Sequence, residues 1–396
     1  MNNEKEFKDL PEGWKWARLE EVILYEQPQK YIVLAENYED KSGIPVLTAG
    51  KTFILGFTNE NFGICNNLPV ILFDDFTTDS RFVNFPFKVK SSAAKLLRAR
   101  DKNINLFYIF NAMQLIKLKP GSEHKRFWIS EYSRLSIPLP PLPEQQKIAE
   151  ILETIDNAIE KTDKIIEKYK RIKQGLMQDL ITKGIDENGN IRNEKTHKFK
   201  DSPLVRIPEE WEVVRLGEMG EIIYGERLNE YEYFEDGSSI VYGTTGIIAR
   251  TEKYIDVGEA IILPRKGSIN NKFYVKEGQK FFVIDTAFYV KFTKTEVYVK
   301  YIYYFLHQVN FELLNEATGI PSLNRENLKN ILIPLPPLPE QQRIAEILSQ
   351  IDKTIEKEEQ YKEKLKRLKQ GLMGDLLTGK VRVNHLVEEE EKWTEI

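Results

Sequence analysis

The chain has 396 residues, two to three times the usual domain length, which excludes a single small domain. Its 41% hydrophobic and 30% charged residues, without an apolar run near the ~18 residues of a membrane span, exclude a disordered or membrane-spanning chain. The first residues lack the basic and apolar stretches of a secretory signal, and the single cysteine, Cys65, excludes an internal disulfide. We therefore expect a cytoplasmic protein.

The formal net charge of −4 comes from the end of the sequence, where residues 386–396 hold five Glu and one Lys. The rest of the chain is neutral in sum but uneven. Residues 81–126 carry eleven Lys or Arg against two acids, and residues 250–300 carry ten against six. Such segments are typical of a phosphate-facing surface, although an ordinary solvated face explains either segment about as well.

Short apolar and β-branched runs bounded by Gly, Asn, Asp or Thr predict strands in the first part of the chain. They are Ile44–Leu47, Val70–Phe73 and Phe82–Val89, and a helical pattern follows at Phe107–Leu115. The acid pair Asp74 and Asp75 could bind a metal or act as general acid and base. Without an identifiable partner, a turn at the end of the strand is the better interpretation.

A proline run and a long helix are predicted next. The run from Ile137 to Pro143 indicates a short, stiff polyproline segment, because each proline holds φ near about −65° and lacks an N–H. Pro143 suits the first helical position and Glu144 the positive helix terminus, so a helix should begin there. Apolar residues recur at sevens from Ile148, which predicts roughly 39 helical residues spanning about 60 Å.

The same frame returns 196 residues later. Residues 137–182 and 333–378 are identical at 32 of 46 positions, and the opening motifs Leu10–Trp14 and Ile207–Trp211 echo each other. The chain is therefore a tandem duplication. Between the shared ends, residues 22–136 and 219–332 show little similarity, which suggests shared attachment and distinct recognition.

The second divergent segment also has a mixed α/β pattern. Predicted strands are Ile240–Tyr242, Ala260–Leu263, Phe281–Ile284 and Phe288–Phe292, and a helix is predicted over Val299–Leu314. The second long helix should begin at Pro339. The predicted fold class is α+β, with two mixed α/β domains separated by two long helices.

A helix of this length exceeds an ordinary domain core, so its apolar stripe needs another long helix, and its duplicate is the obvious candidate. We predict an intramolecular antiparallel coiled coil and two halves related by a pseudo-two-fold axis. Gly175 and Gly371 occupy equivalent places in the helices and would let the backbones approach closely. The alternative is a tolerated glycine or a kink that costs about 1 kcal/mol.

Motifs for catalysis and cofactor binding are missing from the sequence. It contains no Gly-x-x-x-x-Gly-Lys-Ser/Thr loop, no Gly-x-Gly-x-x-Gly after a strand, and no zinc-ligand spacing among one Cys and four His. The Asn-Pro-Pro-aromatic motif of amino-methyltransferases and the Pro-Asp dipeptide of a common nuclease cluster are also missing. We expect a non-catalytic chain without a cofactor or metal of its own.

These features resemble the specificity (S) subunit of type I restriction-modification enzymes. The resemblance rests on the duplicated proline run and helix, on the motif Lys366–Val383, and on the similar opening of each half. The divergent segments are similar to the target recognition domains of that family at Ile71–Thr77, Phe87–Ala93, Ile262–Ser268 and Asp285–Tyr289. The resemblance covers nearly the whole chain. The acidic run Glu388–Glu391 departs from it and has no family role that we can assign.

The resemblance implies a DNA-binding subunit without catalysis of its own. In this family each target recognition domain reads one half of an asymmetric, interrupted site in double-stranded DNA, and the helices hold the domains apart. Two modification subunits bind the S subunit and methylate one adenine in each half-site from S-adenosylmethionine. Restriction subunits join to translocate and cleave unmodified DNA with ATP. Those cofactors belong to the partners, and two readers on a rigid spacer suit half-sites at a fixed separation.

The repeat and the resemblance together divide the chain into six regions. They are a first target recognition domain at 1–136, a proline run with a long helix at 137–184, a linker at 185–206, a second target recognition domain at 207–332, a second proline run with a long helix at 333–385, and an acidic tail at 386–396. We assign the 5′ half-site to the first domain, although no residue decides which domain reads which half.

Polar and basic loops between the predicted strands supply the candidate DNA-binding residues. In the first half they are Thr48, Lys51, Thr77, Thr78, Ser80, Arg81, Lys90, Ser91 and Ser92. In the second half they are Thr244, Thr245, Arg250, Arg265, Lys266, Ser268, Asn270, Asn271 and Lys272. Arg or Lys pairs with guanine, Asn with adenine, and hydroxyls with a base or a phosphate. A turn or a solvated surface is the alternative for each residue.

The exposed faces of the long helices are the candidate surface for partner subunits; otherwise their charges are ordinary solvated positions. Two other functions remain open. A bivalent protein-interaction adaptor without DNA specificity fits the repeat but leaves the two basic, divergent segments without a purpose. An enzyme with its own nuclease or methyltransferase activity is disfavoured by the missing motifs.

Overall fold

The computed structural model describes residues 10–35, 38, 42–50, 52–116 and 127–387. The chain divides into two compact units, Met1–Asp163 with Gln360–Ile396, and Lys164–Glu359. Each unit combines β-sheets with part of each long helix, so the fold is α+β as predicted. Lys51 and the acidic run Glu388–Glu391 lie outside the described residues.

The first unit has a four-stranded and a three-stranded sheet among its described residues. Its strands are β1 (Lys15–Arg18), β2 (Ile23–Glu26), β3 (Ile44–Leu47), β4 (Ile54–Thr58), β5 (Val70–Asp74), β6 (Ser80–Val83), β7 (Lys88–Val89), β8 (Ala94–Ala99) and β9 (Ser136–Leu139). The first sheet has the order β2-β8-β5-β6 and is antiparallel. The second has the order β4-β3-β7, with β3 and β7 parallel. Strand β1 pairs with β9.

The second unit repeats this arrangement. Its strands are β10 (Phe199–Lys200), β11 (Ile207–Pro208), β12 (Glu212–Arg215), β13 (Gly220–Tyr224), β14 (Ser239–Gly243), β15 (Gly246–Thr251), β16 (Asp256–Val257), β17 (Ala260–Pro264), β18 (Phe273–Val275), β19 (Lys280–Val283), β20 (Ala287–Phe292) and β21 (Leu332–Leu335). The sheets have the orders β13-β20-β17-β18 and β15-β14-β19-β16, and β12 pairs with β21. Except for the added β16 and the additional pair β10-β11, equivalent strands follow the same order as in the first unit. Two divergent sequences therefore adopt one framework.

In the part of the chain that the structure describes, six short helices accompany the sheets, and two long helices follow the proline runs. In chain order the helices are α1 (Leu19–Val22), α2 (Leu106–Gln114), α3 (Phe127–Ser130), α4 (Leu142–Thr182), α5 (Leu216–Met219), α6 (Val299–Leu306), α7 (Arg325–Lys329) and α8 (Leu338–Leu376). The long helices contain 41 and 39 residues, close to the predicted length. At about 1.5 Å per residue, each spans about 60 Å.

Two predicted elements are wrong because each is split in the structure. The run Phe82–Val89 is not one strand: β6 ends at Val83 and β7 begins at Lys88, with Pro86 between them. The predicted helix over Val299–Leu314 ends as α6 at Leu306. A separate 3₁₀ turn follows because the side chain of Asn310 accepts the backbone N–H of Glu312 at 3.0 Å.

The proline runs are only partly the polyproline segments that we predict. Pro138 and Pro334 lie in β9 and β21, opposite Trp16 and Val213. Each strand belongs to a two-stranded pair, and an edge strand tolerates a proline whose nitrogen faces away from its neighbour. The long helices then begin at Leu142 and Leu338, one residue before the predicted prolines.

A buried carboxylate is held at the start of each long helix. In the first unit, Glu144 accepts the indole N–H of Trp14 at 3.0 Å and hydrogen bonds from Nε and Nη2 of Arg382 at 2.7 and 2.9 Å. In the second unit, Glu340 accepts the indole N–H of Trp211 at 3.2 Å and pairs with Arg192. The opening motif of each half is therefore explained, because its tryptophan fixes the start of the long helix.

The long helices pack against each other in both units. In the first unit, Lys369 bonds to Asp156 at 2.6 and 2.7 Å, and Lys362 bonds to Asp163. From the first pair to the second, the residue number rises by seven on α4 and falls by seven on α8. The helices therefore run antiparallel there. In the second unit, Lys173 lies 2.6 Å from Asp352, which is the counterpart of the Asp156 pair in the repeat.

The prediction that Gly175 and Gly371 bring the helix backbones together is wrong. A side chain built at either glycine would meet no atom within 4 Å. Both positions therefore face open space, and each glycine is simply tolerated in a stable helix. Ile165 and Ile172 of the predicted apolar stripe are also exposed, at 41% and 39%. The contact face is narrower there than the periodicity predicts.

Each unit builds its main core on both long helices. In the first unit, Ile148 and Leu152 of α4 join Leu376 of α8 beneath the four-stranded sheet. In the second unit, Leu180 of α4 joins Leu348 of α8 in the same way. Each such side chain contributes roughly 1.5–3 kcal/mol when fully buried. Among the described residues, no helix is long and apolar enough to cross a membrane.

Candidate nucleic-acid interface

Two candidate residues of the first unit follow strands of its three-stranded sheet, at the same end of that sheet. Strands β3 and β7 are parallel, with Leu47 opposite Val89, so Thr48 and Lys90 follow the strands on the same side. The N–H of Lys90 bonds to the carbonyl of Leu47 at 3.0 Å. The exposed ammonium of Lys90 donates to the hydroxyl of Tyr38 at 2.7 Å.

The turn between β5 and β6 carries the next candidates. The carboxylate of Asp74 accepts two backbone N–H groups of this turn at 2.9 and 3.0 Å, which supports the strand-end interpretation of the acid pair. Thr77 is exposed, and Thr78 adopts a positive φ of 65°. Arg81 is exposed on β6, and its guanidinium lies 6.0 Å from the ring centre of Phe53.

Ser91 and Ser92 lie beside this turn. They precede β8, and the carbonyl of Ala93 accepts the N–H of Asp75 at 3.1 Å. The hydroxyl of Ser80 accepts a hydrogen bond from Gln114 at 2.8 Å. The structure thus brings all eight described candidates of the first unit to one end of its sheets.

Several cations of the basic segment 81–126 are committed to the interior. Lys88 is fully buried and pairs with Glu60, and Lys95 is buried 3.9 Å from Asp75. Arg98 pairs with Glu26 at 2.9 Å. In contrast, no ion pair joins Arg81 or Lys90 to a described carboxylate. The number of Lys and Arg residues in this segment therefore overstates its surface charge. Arg81 and Lys90 are exposed at the end of the sheets where the candidate DNA-binding residues lie.

The buried Asp75 belongs to the interior of the first unit. Its Oδ1 accepts the backbone N–H of Trp128 at 2.9 Å. Within the described part of the chain, no group of three or more His, Cys, Asp or Glu side chains is placed to hold a metal ion. The pair Asp74 and Asp75 therefore ends a strand and closes an internal contact.

Loops at one end of the second unit hold most of its candidates. Thr244 and Thr245 form the turn between β14 and β15, and Arg265 to Ser268 follow β17. The side chain of Asn271 donates to the carbonyl of Thr244 at 2.9 Å, which joins the two loops. Asn270 donates to Glu312 at 3.0 Å. Lys266 and Ser268 are exposed.

Arg250 lies away from this group. Arg250 lies on β15 opposite Ile240 of β14. Ile240 is four residues from Thr244, a distance of about 14 Å along the strand. The guanidinium of Arg250 donates to the carbonyl of Gly237 at 3.2 Å. The structure does not bring Arg250 to the loops that carry Thr244 and Arg265.

Lys272 is buried, with 5% of its surface exposed. Its ammonium donates to the carbonyl of Val309 at 3.2 Å and lies 4.1 Å from the ring centre of Phe311. Burial lowers the pKa of Lys272 to about 8, because the charged form loses its hydration. The predicted role of Lys272 in DNA binding is therefore poorly supported, since its charge points into the protein.

Replacing Lys272 by Met should stabilise the second unit at pH 7 by about 1–3 kcal/mol, because a poorly solvated charge is removed. The unfolded chain keeps an ordinary lysine pKa near 10.5. Between pH 8 and 10.5, Lys272 is therefore protonated in the unfolded chain but largely deprotonated in the folded chain. Because the unfolded chain binds more protons, the stability of the unchanged protein rises with pH across that window.

Urea unfolding at a series of pH values measures both effects. The advantage of Lys272→Met should shrink as pH rises from 8 to 10.5. The exposed Lys276 provides the control, since Lys276→Met should change stability by less than about 0.5 kcal/mol at every pH. A constant difference between the Lys272 variant and the unchanged protein would contradict the assignment.

Two residues of the second unit were not predicted from sequence. Tyr224 ends β13 and is 44% exposed, and Arg325 begins α7. The guanidinium groups of Arg325 and of Arg265, which was predicted, lie 5.1 and 5.2 Å from the ring centre of Tyr224. Tyr224 and Arg325 are about a hundred positions apart, and only the folded sheet brings them together. The sequence carries no spacing signal for this arrangement.

The same framework of sheets and loops occurs twice in the chain, and comparison with known proteins defines its class. The family model for the type I restriction modification DNA specificity domain matches residues 11–170 and 208–367. These matches cover more than half of the chain. The protein therefore belongs to the family of type I restriction-modification specificity subunits.

Individual relatives agree with this assignment. The chain is 32% identical over 365 residues to the type I restriction enzyme EcoR124I/EcoR124II specificity subunit of Escherichia coli, covering 85% of this chain and 86% of that one. It is 28% identical over 425 residues to the MjaVIII specificity subunit of Methanocaldococcus jannaschii, covering 97% of each. The crystal structure of an S subunit from M. genitalium shares the fold, with a TM-score of 0.65, 15% identity, and coverage of 95% of this chain and 97% of that chain.

Proposed function

We propose that this chain is the DNA sequence-specificity subunit of a type I restriction-modification complex. Each target recognition domain binds one half of an asymmetric, bipartite site in double-stranded DNA. The chain itself is not catalytic. Methylation of adenine N6 and ATP-dependent translocation and cleavage belong to the modification and restriction subunits, and the proposed location is the cytoplasm.

One observation carries this proposal. The two units share a strand order, yet their sequences diverge, and each places polar and basic side chains at one end of its sheets. In the first unit these include Arg81 and Lys90, and in the second Arg265 and Lys266. A common framework with different surface chemistry suits two readers of different half-sites. Such side chains reach base edges and phosphates.

We further propose that α4 and α8 form a coiled coil that fixes the gap between the half-sites. The antiparallel ion pairs of Asp156 with Lys369 and of Asp352 with Lys173 support this spacer. Equivalent pairs in the repeat are what a pseudo-two-fold relation would produce. The six regions defined from the sequence remain our proposed domain division.

The exposed faces of the long helices are the proposed docking surface for two modification subunits, through which restriction subunits join. The duplication supports this proposal, because a repeated helix offers the same surface to two copies of one partner. Charged side chains such as Glu346 on α8 are exposed on these faces.

The bivalent adaptor is the competing function, and DNA selection distinguishes it. The full chain with its cognate modification subunits would be incubated with a random duplex library, and bound DNA would be sequenced at several salt concentrations. We expect enrichment of a two-part motif with a fixed gap, and a binding constant that falls linearly with salt on logarithmic axes. A stable protein complex that enriches no sequence would favour the adaptor.

A further inference from the structure

Two guanidinium groups lie close to one exposed aromatic ring in the second unit. The guanidinium of Arg265 is 5.2 Å and that of Arg325 is 5.1 Å from the ring centre of Tyr224. The ring of Tyr224 also packs on Phe288, with 4.9 Å between centres. Stacking on an aromatic face orients the planar fork of an arginine while its N–H groups stay free to donate. We call Arg265, Tyr224 and Arg325 the arginine–tyrosine stack.

The stack has more positive charge than its described neighbours neutralise. Arg265 donates through Nη1 to the backbone carbonyl of Asp285 at 2.8 Å, and it forms no ion pair with a described carboxylate. Nε of Arg325 lies 3.8 Å from Glu326, whose carboxylate is already bonded to Lys329 at 2.8 Å. The buried Nε of Arg325 has no hydrogen-bond acceptor among the described residues.

The first unit shows that the shared framework does not require this stack. Asp75 and Arg265 occupy equivalent places, because Asp75 follows β5 and Arg265 follows β17. The N–H of Asp75 donates to the residue before β8 at 3.1 Å, and the N–H of Arg265 donates to the residue before β20 at 2.9 Å. The carbonyls of Asp75 and Arg265 each accept a backbone N–H, at 3.0 and 2.8 Å. Asp75 is 1% exposed and bonds to Trp128. The same position thus holds a buried carboxylate in the first unit and an arginine in the second. The arginine–tyrosine stack is therefore one of the features that distinguish the two units.

Given the proposed function, on which this inference rests, we propose that Tyr224 positions Arg265 and Arg325 so that each binds a pair of acceptor atoms on the DNA half-site contacted by the second unit. Two sources supply that chemistry. N7 and O6 of a guanine form one acceptor pair, and two oxygens of a phosphate form the other. The exposed Lys266 follows Arg265 and adds positive charge on the same loop.

DNA selection with the full chain and its cognate modification subunits tests this proposal through Arg325→Gln and Arg265→Gln. Each variant should lower affinity by about tenfold or more. If the acceptor pair is on guanine, one position of one half-site should lose its guanine preference. If it is on phosphate, the motif should stay the same while the slope of affinity against salt falls by about 1. The other half-site should be unchanged in both cases.

Matched variants separate stacking from simple loss of charge. Tyr224→Phe keeps the ring and should bind as the unchanged protein does, whereas Tyr224→Ala should behave like the arginine variants. Arg206→Gln removes one charge from an exposed ion pair outside the proposed interface and should leave the motif and affinity unchanged. Thermal unfolding of each complex verifies that the variants are folded.

The results separate this inference from the proposed function. If the unchanged protein selects no two-part motif, the proposed function fails and the stack proposal fails with it. If the unchanged protein selects the motif and Arg325→Gln and Arg265→Gln select it with the same affinity and salt slope, only the stack proposal is overturned. Equal binding by Tyr224→Ala and Tyr224→Phe would also overturn the positioning role of the ring.

Discussion

Removing four residues from each long helix should shorten the gap between the two recognised half-sites while both half-sites keep their sequence. The matched deletions are 162–165 in α4 and 358–361 in α8, which occupy equivalent positions in the repeat. Four helical residues span about 6 Å. Since base pairs are spaced by about 3.4 Å, the gap should fall by one or two base pairs.

Both helices must be shortened because each contributes to both units. Leu152 and Leu180 of α4 belong to different cores, and so do Leu348 and Leu376 of α8. A deletion in α4 alone would put its ion pairs with α8 out of register. Four residues make slightly more than one helical turn, so the paired deletion nearly preserves the contact face. The lost ion pair of Glu359 is exposed and that of Asp163 is partly exposed, so both contribute little.

Methylation mapping or DNA selection measures the gap directly. The single deletion of 162–165 is the control and should weaken recognition of every site, since only one helix is shortened. If the paired deletion is folded and still selects the original gap, the helices do not set the spacing.

Replacing Glu340 by Ala should destabilise the second unit by about 3–5 kcal/mol. The carboxylate of Glu340 is buried, pairs with Arg192, and accepts the indole N–H of Trp211 at 3.2 Å and the backbone N–H of Ile185 at 2.9 Å. Its removal leaves the buried guanidinium of Arg192 with the exposed Glu210, at 3.1 Å, as its one remaining described carboxylate, and it leaves two donors without an acceptor, which is costly. A loss of this size is a large share of the stability of a typical domain.

Trp211 reports this effect separately, because it is the sole tryptophan between residues 164 and 359. With fluorotryptophan incorporated, the ¹⁹F signal of Trp211 should shift to its unfolded position at lower urea in Glu340→Ala. The exposed Glu346 on the same helix provides the control, and Glu346→Ala should change stability by less than about 0.5 kcal/mol. A change below about 1 kcal/mol in Glu340→Ala would contradict the role given to this carboxylate.

The duplicated frame could be predicted from sequence because its signals are local and repeated. Proline placement and apolar periodicity locate the starts of α4 and α8 to within one residue. Strand β3 matches its predicted bounds, Ile44–Leu47. In contrast, β8 escaped prediction: AKLLRA has no polar alternation, yet its central place in the sheet order β2-β8-β5-β6 buries both faces.

Side-chain roles at the candidate interface could be predicted less well, because they depend on contacts between distant parts of the chain. Lys272 looks like a surface lysine in sequence, and only the fold places it against Val309 and Phe311. Arg250 is six residues from Thr244, but the extended hairpin separates them. The reverse holds for Tyr224 and Arg325, which are far apart in sequence and adjacent to each other in the structure.

Adenine-methylation mapping at base resolution tests the central claim most directly. DNA would be taken from cells that express the cognate modification subunit with and without this chain. We expect a new two-part methylated motif with a fixed gap, present only when the chain is expressed. A stable complex of chain and modification subunit that methylates no two-part motif would contradict this expectation. Methylation of the same motif in cells that lack the chain would also contradict it.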